Sequence, residues 1–311
     1  MTAFETQDAK MVLRQNGRSF HFASHVLNKR QTENAATLYA LCRAIDDIAD
    51  DTTEMQQADT RLHLLSKSLE RSDPSDIIAA TALALQRETG LEIATLLALI
   101  DGVRSDLKPV RFVDEAQLID YAYAVAGTVG LMMCSVFGVK DKRAAPFAID
   151  LGIAMQLTNI ARDISADARL GRRYIPSSWI GDIEPEALVA PEGKLADSLR
   201  DATQRLLMLA DIYYTSGQSG LGFLPWRARL AIFTAARVYR AIGGQIAKDG
   251  FRSWQMRAVV STRKKIAIGL FAFFEFLVNP HLHRTDAVHD PNLHALIQHR
   301  FPSVQPGQSD G

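Results

Sequence analysis

Apolar residues recur every three to four positions through nearly the whole chain, and no segment alternates in twos as a half-buried strand would. A chain with that single period must bury helix stripes against helix stripes, so the fold expected is all-α. The pattern predicts helices over 34–50, 57–71, 75–89, 93–105, 114–136, 144–166, 195–215, 225–248 and 257–278. Thr89-Gly90 closes one of them, Asp114-Glu115 opens another with carboxylates at the positive end of its dipole, and Pro225 suits a first turn. The stretch 171–193, with Pro176, Pro185 and Pro191, is the longest irregular insert and fits a lid or a plain surface connection equally well. From Asn279 the periodicity lapses. Five of the eight histidines fall there without metal-ligand spacing, so a frayed end with no metal role is expected. The organisation predicted is one helical domain over 1–278, an antiparallel bundle, followed by an irregular tail over 279–311.

Charge excludes one class of partner. Lys+Arg and Asp+Glu number 35 each, so no net field draws a polyanion, and no nucleic acid is expected as a partner. Cys42 and Cys134 stand far apart among apolar neighbours, which suits neither a disulfide framework nor a metal site and points to a reducing, cytoplasmic setting. The first thirty residues lack the apolar core of an export signal. The strongest apolar run, 266–278, is broken by Glu275 and is shorter than the ~20 residues of a membrane span, so no transmembrane helix is expected. A buried core helix is the first expectation for that run. A helix lying on a membrane is the second, because Arg263, Lys264 and Lys265 precede the phenylalanines.

Two polar lines cross this apolar background. Tyr39, Arg43, Asp46 and Asp50 are spaced by four, three and four, which sets them on one helix face, and Asp47 and Asp51 add charge to the same turns. Gln156, Asn159, Asp163 and Asp167 form a matching line between Ile153, Leu157, Ile160 and Ile164. Like charges four residues apart destabilise a helix by roughly 0.2–0.5 kcal/mol, so something should compensate. Carboxylates one turn apart can hold a hard cation that takes its remaining ligands from water and a substrate phosphate, which points to Mg²⁺ and a diphosphate. Arg43 and Arg162, with Arg169, Arg172 and Arg173 just beyond, suit phosphate oxygens. In the helix over 114–136, Gly127 and Gly130 each cost about 1 kcal/mol relative to alanine and therefore imply close packing or a bend, with room for an isoprenoid chain as an equal alternative.

These residues resemble a known family. Asp46-Asp47-Ile48-Ala49-Asp50 and the run from Asn159 to Asp167 resemble the two aspartate-rich motifs of the squalene/phytoene synthases, the head-to-head prenyl synthases. Tyr39 to Arg43, Arg18-Ser19-Phe20, Tyr121 to Gly130 and Gly171 to Pro176 are similar to further segments of that family, the last to its phytoene-forming branch. The resemblance implies an isoprenoid synthase fold with a central cavity and the two motifs facing each other across its mouth. It implies that Asp46, Asp50, Asn159, Asp163 and Asp167 hold Mg²⁺, or Mn²⁺ in its place, and that Asp46, Asp50, Asp163, Asp167 and Tyr121 are catalytic. Ser19, Phe20, Tyr39, Arg43, Gln156, Arg162 and Tyr239 would bind substrate, with Tyr121 and Tyr239 lining the reacting region. Asn16 and Gly17 depart from the family pattern, which leaves their contacts open.

The reaction implied joins two geranylgeranyl diphosphates through prephytoene diphosphate to phytoene, the first committed step of carotenoid biosynthesis. Its cations need a water-free apolar pocket with ring faces, for which Phe20, Phe22, Tyr121 and Phe233 are candidates. No NADPH is expected, and the sequence carries no Gly-rich dinucleotide fingerprint. Contact with a membrane periphery and with enzymes of the carotenoid pathway is implied. The alternatives are a dehydrosqualene or squalene synthase using farnesyl diphosphate, and a non-catalytic isoprenoid-binding subunit, which two intact acidic lines argue against.

Overall fold

A computed structural model of the chain describes residues 6–50 and 54–300; Asp51, residues 301–311 and the side chain of Arg18 lie outside it. The described residues form α1 (Thr6–Asn16), α2 (Arg18–Ser24), α3 (Lys29–Asp50), α4 (Met55–Glu70), α5 (Ile77–Thr89), α6 (Ile93–Ser105), α7 (Glu115–Ala122), a π turn (Tyr123–Gly127) and α8 (Thr128–Val136). The chain continues through α9 (Ala144–Arg169), α10 (Ser177–Ile180), α11 (Gly193–Ser219), α12 (Trp226–Lys248) and α13 (Thr262–Val278). No strand occurs among them; an isolated parallel bridge joins Arg111 to Arg173. The fold is all-α.

Capping chemistry sets several boundaries. Asp76 accepts the N–H groups of Ile78 (2.8 Å) and Ala79 (3.2 Å) to open α5, and Gly90 at φ +74° closes it. Asp114 opens α7 by accepting from Gln117 N–H at 3.0 Å. The helix predicted from 257 begins only at Thr262, where Ser261 accepts from the N–H of Lys264. α1 and α2 were not anticipated. α1 buries just Ala9 and Leu13, one turn apart, against Ala36 and Ala40 of α3, a stripe too narrow to stand out in a polar segment.

The predicted helix over 114–136 is interrupted by the π turn, and its glycines make backbone contact. A Cβ on Gly130 would stand 2.1 Å from the Ala148 carbonyl oxygen, and one on Gly152 would stand 2.2 Å from that of Ala126. α8 and α9 therefore touch backbone to backbone, and the extra residue of the π turn is accommodated beside that contact.

α9 is the central helix, packed on α8, α11, α12 and the π turn. One apolar cluster surrounds α9 and α11, a second lies among α3 to α6, and the two meet at Val125 and Ile232. The stretches 115–136 and 144–169 are long and apolar enough by composition to cross a bilayer, and both are interior helices of the bundle. The insert after α9 is pinned by Arg173, which is buried and donates to the carbonyls of Phe112 and Ile175 (3.0 Å each) and to Asp182 (3.1 Å).

Two expectations need correction. The run 266–278 is no core helix: of α13 only Ala272 and Phe276 are buried, where α2, α12 and the turn Pro280–His283 back it. The segment after Asn279 is not frayed as far as residue 300. Ile297 is fully buried, Tyr213 Oη donates to the Leu293 carbonyl (2.9 Å), and Arg300 pairs with Asp120. Long-range contacts order this segment, so no local period could announce it.

Candidate active site

α3 and α9 present their polar lines to one cavity of about 290 Å³, lined by Arg43, Asp46 and Asp50 from α3 and by Gln156, Asn159, Arg162, Asp163 and Asp167 from α9. The period of four and three that placed each line on one face is what lets a straight helix deliver all these groups to the same space. Arg172 bridges the two sides: its Nη1 donates to Asp50 Oδ1 at 3.1 Å. Arg43 pairs with Asp47 one turn on (2.5 Å), and Asn159 Nδ2 donates to Gln156 Oε1 at 3.3 Å.

The carboxylates divide by their partners. Burial, reinforced by Asp50, pushes Asp46 up to about 7. Burial, reinforced by Asp163, pushes Asp167 up to about 8. Asp163 differs, since burial there is outweighed by hydrogen bonds from Arg162 and Arg257, which hold its carboxyl below the usual range. Arg257 Nε lies 2.7 Å from Asp163 Oδ1, and Arg162 Nε lies 2.9 Å from the same oxygen. Such crowding of buried carboxylates favours either protonation or a cation. The amide oxygen of Asn159 is buried and has no hydrogen-bond partner among the described residues. An orphaned amide oxygen in one cavity with the carboxylates of Asp46, Asp50, Asp163 and Asp167 is a hard oxygen donor set, and it fits a divalent cation of the Mg²⁺ type.

Below this mouth lies an apolar well of about 340 Å³. Asp46, Val125, Gln156 and Asn159 line both spaces, so the well opens into the polar cavity. Phe20, Tyr39 and Tyr239 line the well, with the Phe20 ring 6.3 Å from Tyr39 and 5.2 Å from Tyr239. Gly17 lets this group close, since a Cβ there would stand 2.9 Å from the Tyr39 ring. Gly130, Gly152, Cys42 and Cys134 also face the well, so the glycines serve close helix contact and cavity wall together. Burial raises the thiols of both cysteines, which keeps them neutral.

Tyr121 sits in the polar cavity rather than the well. Its hydroxyl donates to Asp106 (2.7 Å) and lies 3.2 Å from the hydroxyl of Tyr174, which itself donates to Asp106 at 2.9 Å, and the two rings stack at 4.9 Å. Burial raises both tyrosines well above their ordinary value and also raises Asp106. Asp106, Tyr174 and Arg257 were not singled out from the sequence, because each enters from a connection and reaches its partner across a long separation. Ser19 is half-buried on α2 and lines neither space. Two ring candidates also fall elsewhere. Phe22 packs on Gly269 of α13, and Phe233 is fully buried beneath Arg237.

Residues 13–264 match the sequence model of the squalene/phytoene synthases. The chain belongs to the squalene/phytoene synthase family. Membership makes it a prenyltransferase. It is similar to the 15-cis-phytoene synthase of Pantoea ananas, at 35% identity over 82% of this chain and 86% of the relative. It is likewise similar to the phytoene synthase of Cereibacter sphaeroides, at 35% identity over 84% and 77%. Among solved structures it resembles a dehydrosqualene synthase in complex with ligand, with TM-score 0.76 and 24% identity over 88% of this chain and 96% of that one. A squalene synthase from Alicyclobacillus acidocaldarius gives 0.69 and 20%, over 79% and 94%. These two share the fold with this family member, the isoprenoid synthase fold.

Proposed function

We propose that the protein condenses two molecules of geranylgeranyl diphosphate head to head, through prephytoene diphosphate, to phytoene, with Mg²⁺ as its cofactor and no NADPH. The observation that carries this reading is the seam at Asp46, Gln156 and Asn159, where a space crowded with acidic and guanidinium groups opens directly into an apolar well. A diphosphate head and a prenyl tail need those two environments in contact. The relatives named as phytoene synthases supply the product.

Asp46, Asp50, Asn159, Asp163 and Asp167 would hold the cation, which when bound neutralises diphosphate oxygens as a Lewis acid and makes diphosphate a better leaving group. Arg43, Arg162, Arg172 and Arg257 stand around the same space and donate to phosphate oxygens as charge leaves carbon. The well excludes water from the allylic cation, and Phe20, Tyr39 and Tyr239 line it, placing aromatic rings where positive charge develops. Burial pushes Tyr39 up to about 12 and raises Tyr239, so both remain protonated and neutral while the cation exists.

The test is product identification from purified protein given Mg²⁺ with the C20 diphosphate, and separately with C15 farnesyl diphosphate in the presence and absence of NADPH. The expected result is a C40 triene from the C20 substrate without NADPH. A dominant C30 hydrocarbon overturns the reading.

A hydrocarbon product needs a bilayer, and α13 offers the surface. Leu270, Phe271, Phe274, Leu277 and Val278 are each more than half exposed and, at 100° per residue, cover an arc of about 120° opposite the buried Ala272 and Phe276. Arg263 and Lys264 stand in the first turn on or beside this arc, where the helix dipole disfavours cations, so an anionic lipid surface is the complementary partner. Flotation with vesicles containing phosphatidylglycerol is expected, with loss in the Phe271→Glu/Phe274→Glu variant; equal flotation of that variant sets the surface aside.

A further inference from the structure

α9 works as a ruler for the cavity. Asn159 and Gln156 stand at the seam, Met155, Gly152, Leu151 and Ala148 descend the wall of the well, and Phe147 is the last bulky side chain that α9 gives it, with the small Ala144 at the start of the helix lining it beyond. From Asn159 to Phe147 the helix rises about 18 Å. Phe147 therefore stands where the end of a prenyl chain would arrive when its diphosphate is held at the mouth.

Phe147 is fixed on three sides. Its ring stacks on Phe223 at 5.9 Å with planes 24° apart. It backs onto the bare backbone of Gly220, where an added Cβ would stand 2.3 Å from the Phe147 Cβ and Cγ. On the third side the ring of His289 meets it edge-on, at 5.3 Å and 83°. His289 comes from the segment after α13 and is itself held. Its Nε2 lies 2.9 Å from Asp150 Oδ2, His294 Nε2 lies 2.7 Å from Asp150 Oδ1, and Ser216 Oγ donates to Oδ2 at 2.5 Å. Asp150 is fully buried, one turn from Phe147 on the same helix. A buried carboxylate gathering three polar groups is costly to unmake, so it is a strong anchor for a segment 139 residues away.

The geometry points to a specificity device: Phe147 is the floor of the prenyl well, and His289, anchored on Asp150 with His294 and Ser216, is a positioning residue that holds the floor up and so sets the longest chain admitted. This deepens the reading of the site as a prenyl diphosphate pocket and rests on it.

The test uses the full chain with Mg²⁺ and non-reacting thiolodiphosphate analogues carrying C15, C20 and C25 chains, with affinity read by calorimetry so that no turnover is required. In the unaltered protein affinity is expected to fall at least about tenfold from C20 to C25, since five extra carbons have no space beyond a packed floor. Phe147→Ala should bring C25 to within about threefold of C20, and Phe147→Leu should do so in part if the alanine variant does not fold. His289→Ala should lift C25 in the same direction with C15 affinity unchanged, and His289→Gln, which retains a planar side chain with a donor for Asp150, should restore the original profile. Those outcomes support the device, because a purely structural histidine would weaken all three lengths together. An unchanged C25:C20 ratio in the Phe147 variants, or in His289→Ala, overturns it. Should no analogue of any length bind the unaltered protein, the reading of the site itself fails, which is a separate result from a flat length profile.

Discussion

The mouth and the floor of the cavity lie on one helix yet are built in opposite ways. The mouth is assembled from groups three and four residues apart on α3 and α9, with charge as its substance and Arg172 as its cross-link. The floor is assembled from residues that meet only because the chain returns: Phe147, Phe223 and His289, fastened through Asp150. The mouth holds crowded carboxylates that a bound cation would relieve, whereas at the floor the buried Asp150 is met by His289, His294 and Ser216. Functional strain is concentrated at one end and packing order at the other.

The largest way to break this contrast is to remove the cation. Chelation is expected to abolish turnover while circular dichroism and the cooperative unfolding transition persist; surviving turnover in metal-free buffer would contradict the oxygen donor set proposed here. Next comes Asp163→Asn, expected to lower turnover more than about a hundredfold with helix content intact, because Arg162 and Arg257 then face a neutral amide. Near-normal product formation by that variant would remove Asp163 from the machinery.

A smaller effect separates the ends by pH. Asp46 and Asp167 titrate near about 7 and about 8 in the folded chain, against an ordinary 3.8, so the folded state binds their protons more tightly than the unfolded state. Metal-free protein should therefore lose stability as pH climbs from about 4 through about 8, and Asp46→Asn should flatten part of that fall. Thermal melts in chelator at pH 5 and pH 8 give the comparison, and identical slopes for the two proteins would refute it. The smallest effect belongs to the floor. Gly220→Ala forces a methyl group against Phe147 and is expected to cost about 1–3 kcal/mol, seen as a melting point lower by several degrees at both pH values, with the metal requirement unaltered.

The same contrast governs what could be read from the chain. Helical period exposed α3 to α9 and α11 to α12, and it exposed both acidic lines, because a spacing of three and four is local information. Glycines 127 and 130 announced the irregularity that became the π turn, since glycine inside an apolar helix needs a reason. Arg257, Asp106 and Tyr174 escaped notice because connections have no period to betray which way a side chain points. Phe22 and Phe233 were credited to the cavity for a related reason: an aromatic on a helix shows its kind but not its rotation about the bundle. His289 and His294 looked like an unpatterned tail, and their meaning depends on Asp150, a carboxylate that sequence alone would have assigned to solvent.

Backbone contact between Gly130 and Ala148, and between Gly152 and Ala126, has a consequence for how such a molecule can change. A single residue inserted in α9 between Phe147 and Asn159 would swing every group beyond it by about 100° and lift it off the partner helix. Capacity for a longer or shorter guest can therefore be altered in this chain by exchanging side chains, one at a time, and not by adding length to the rod that carries them.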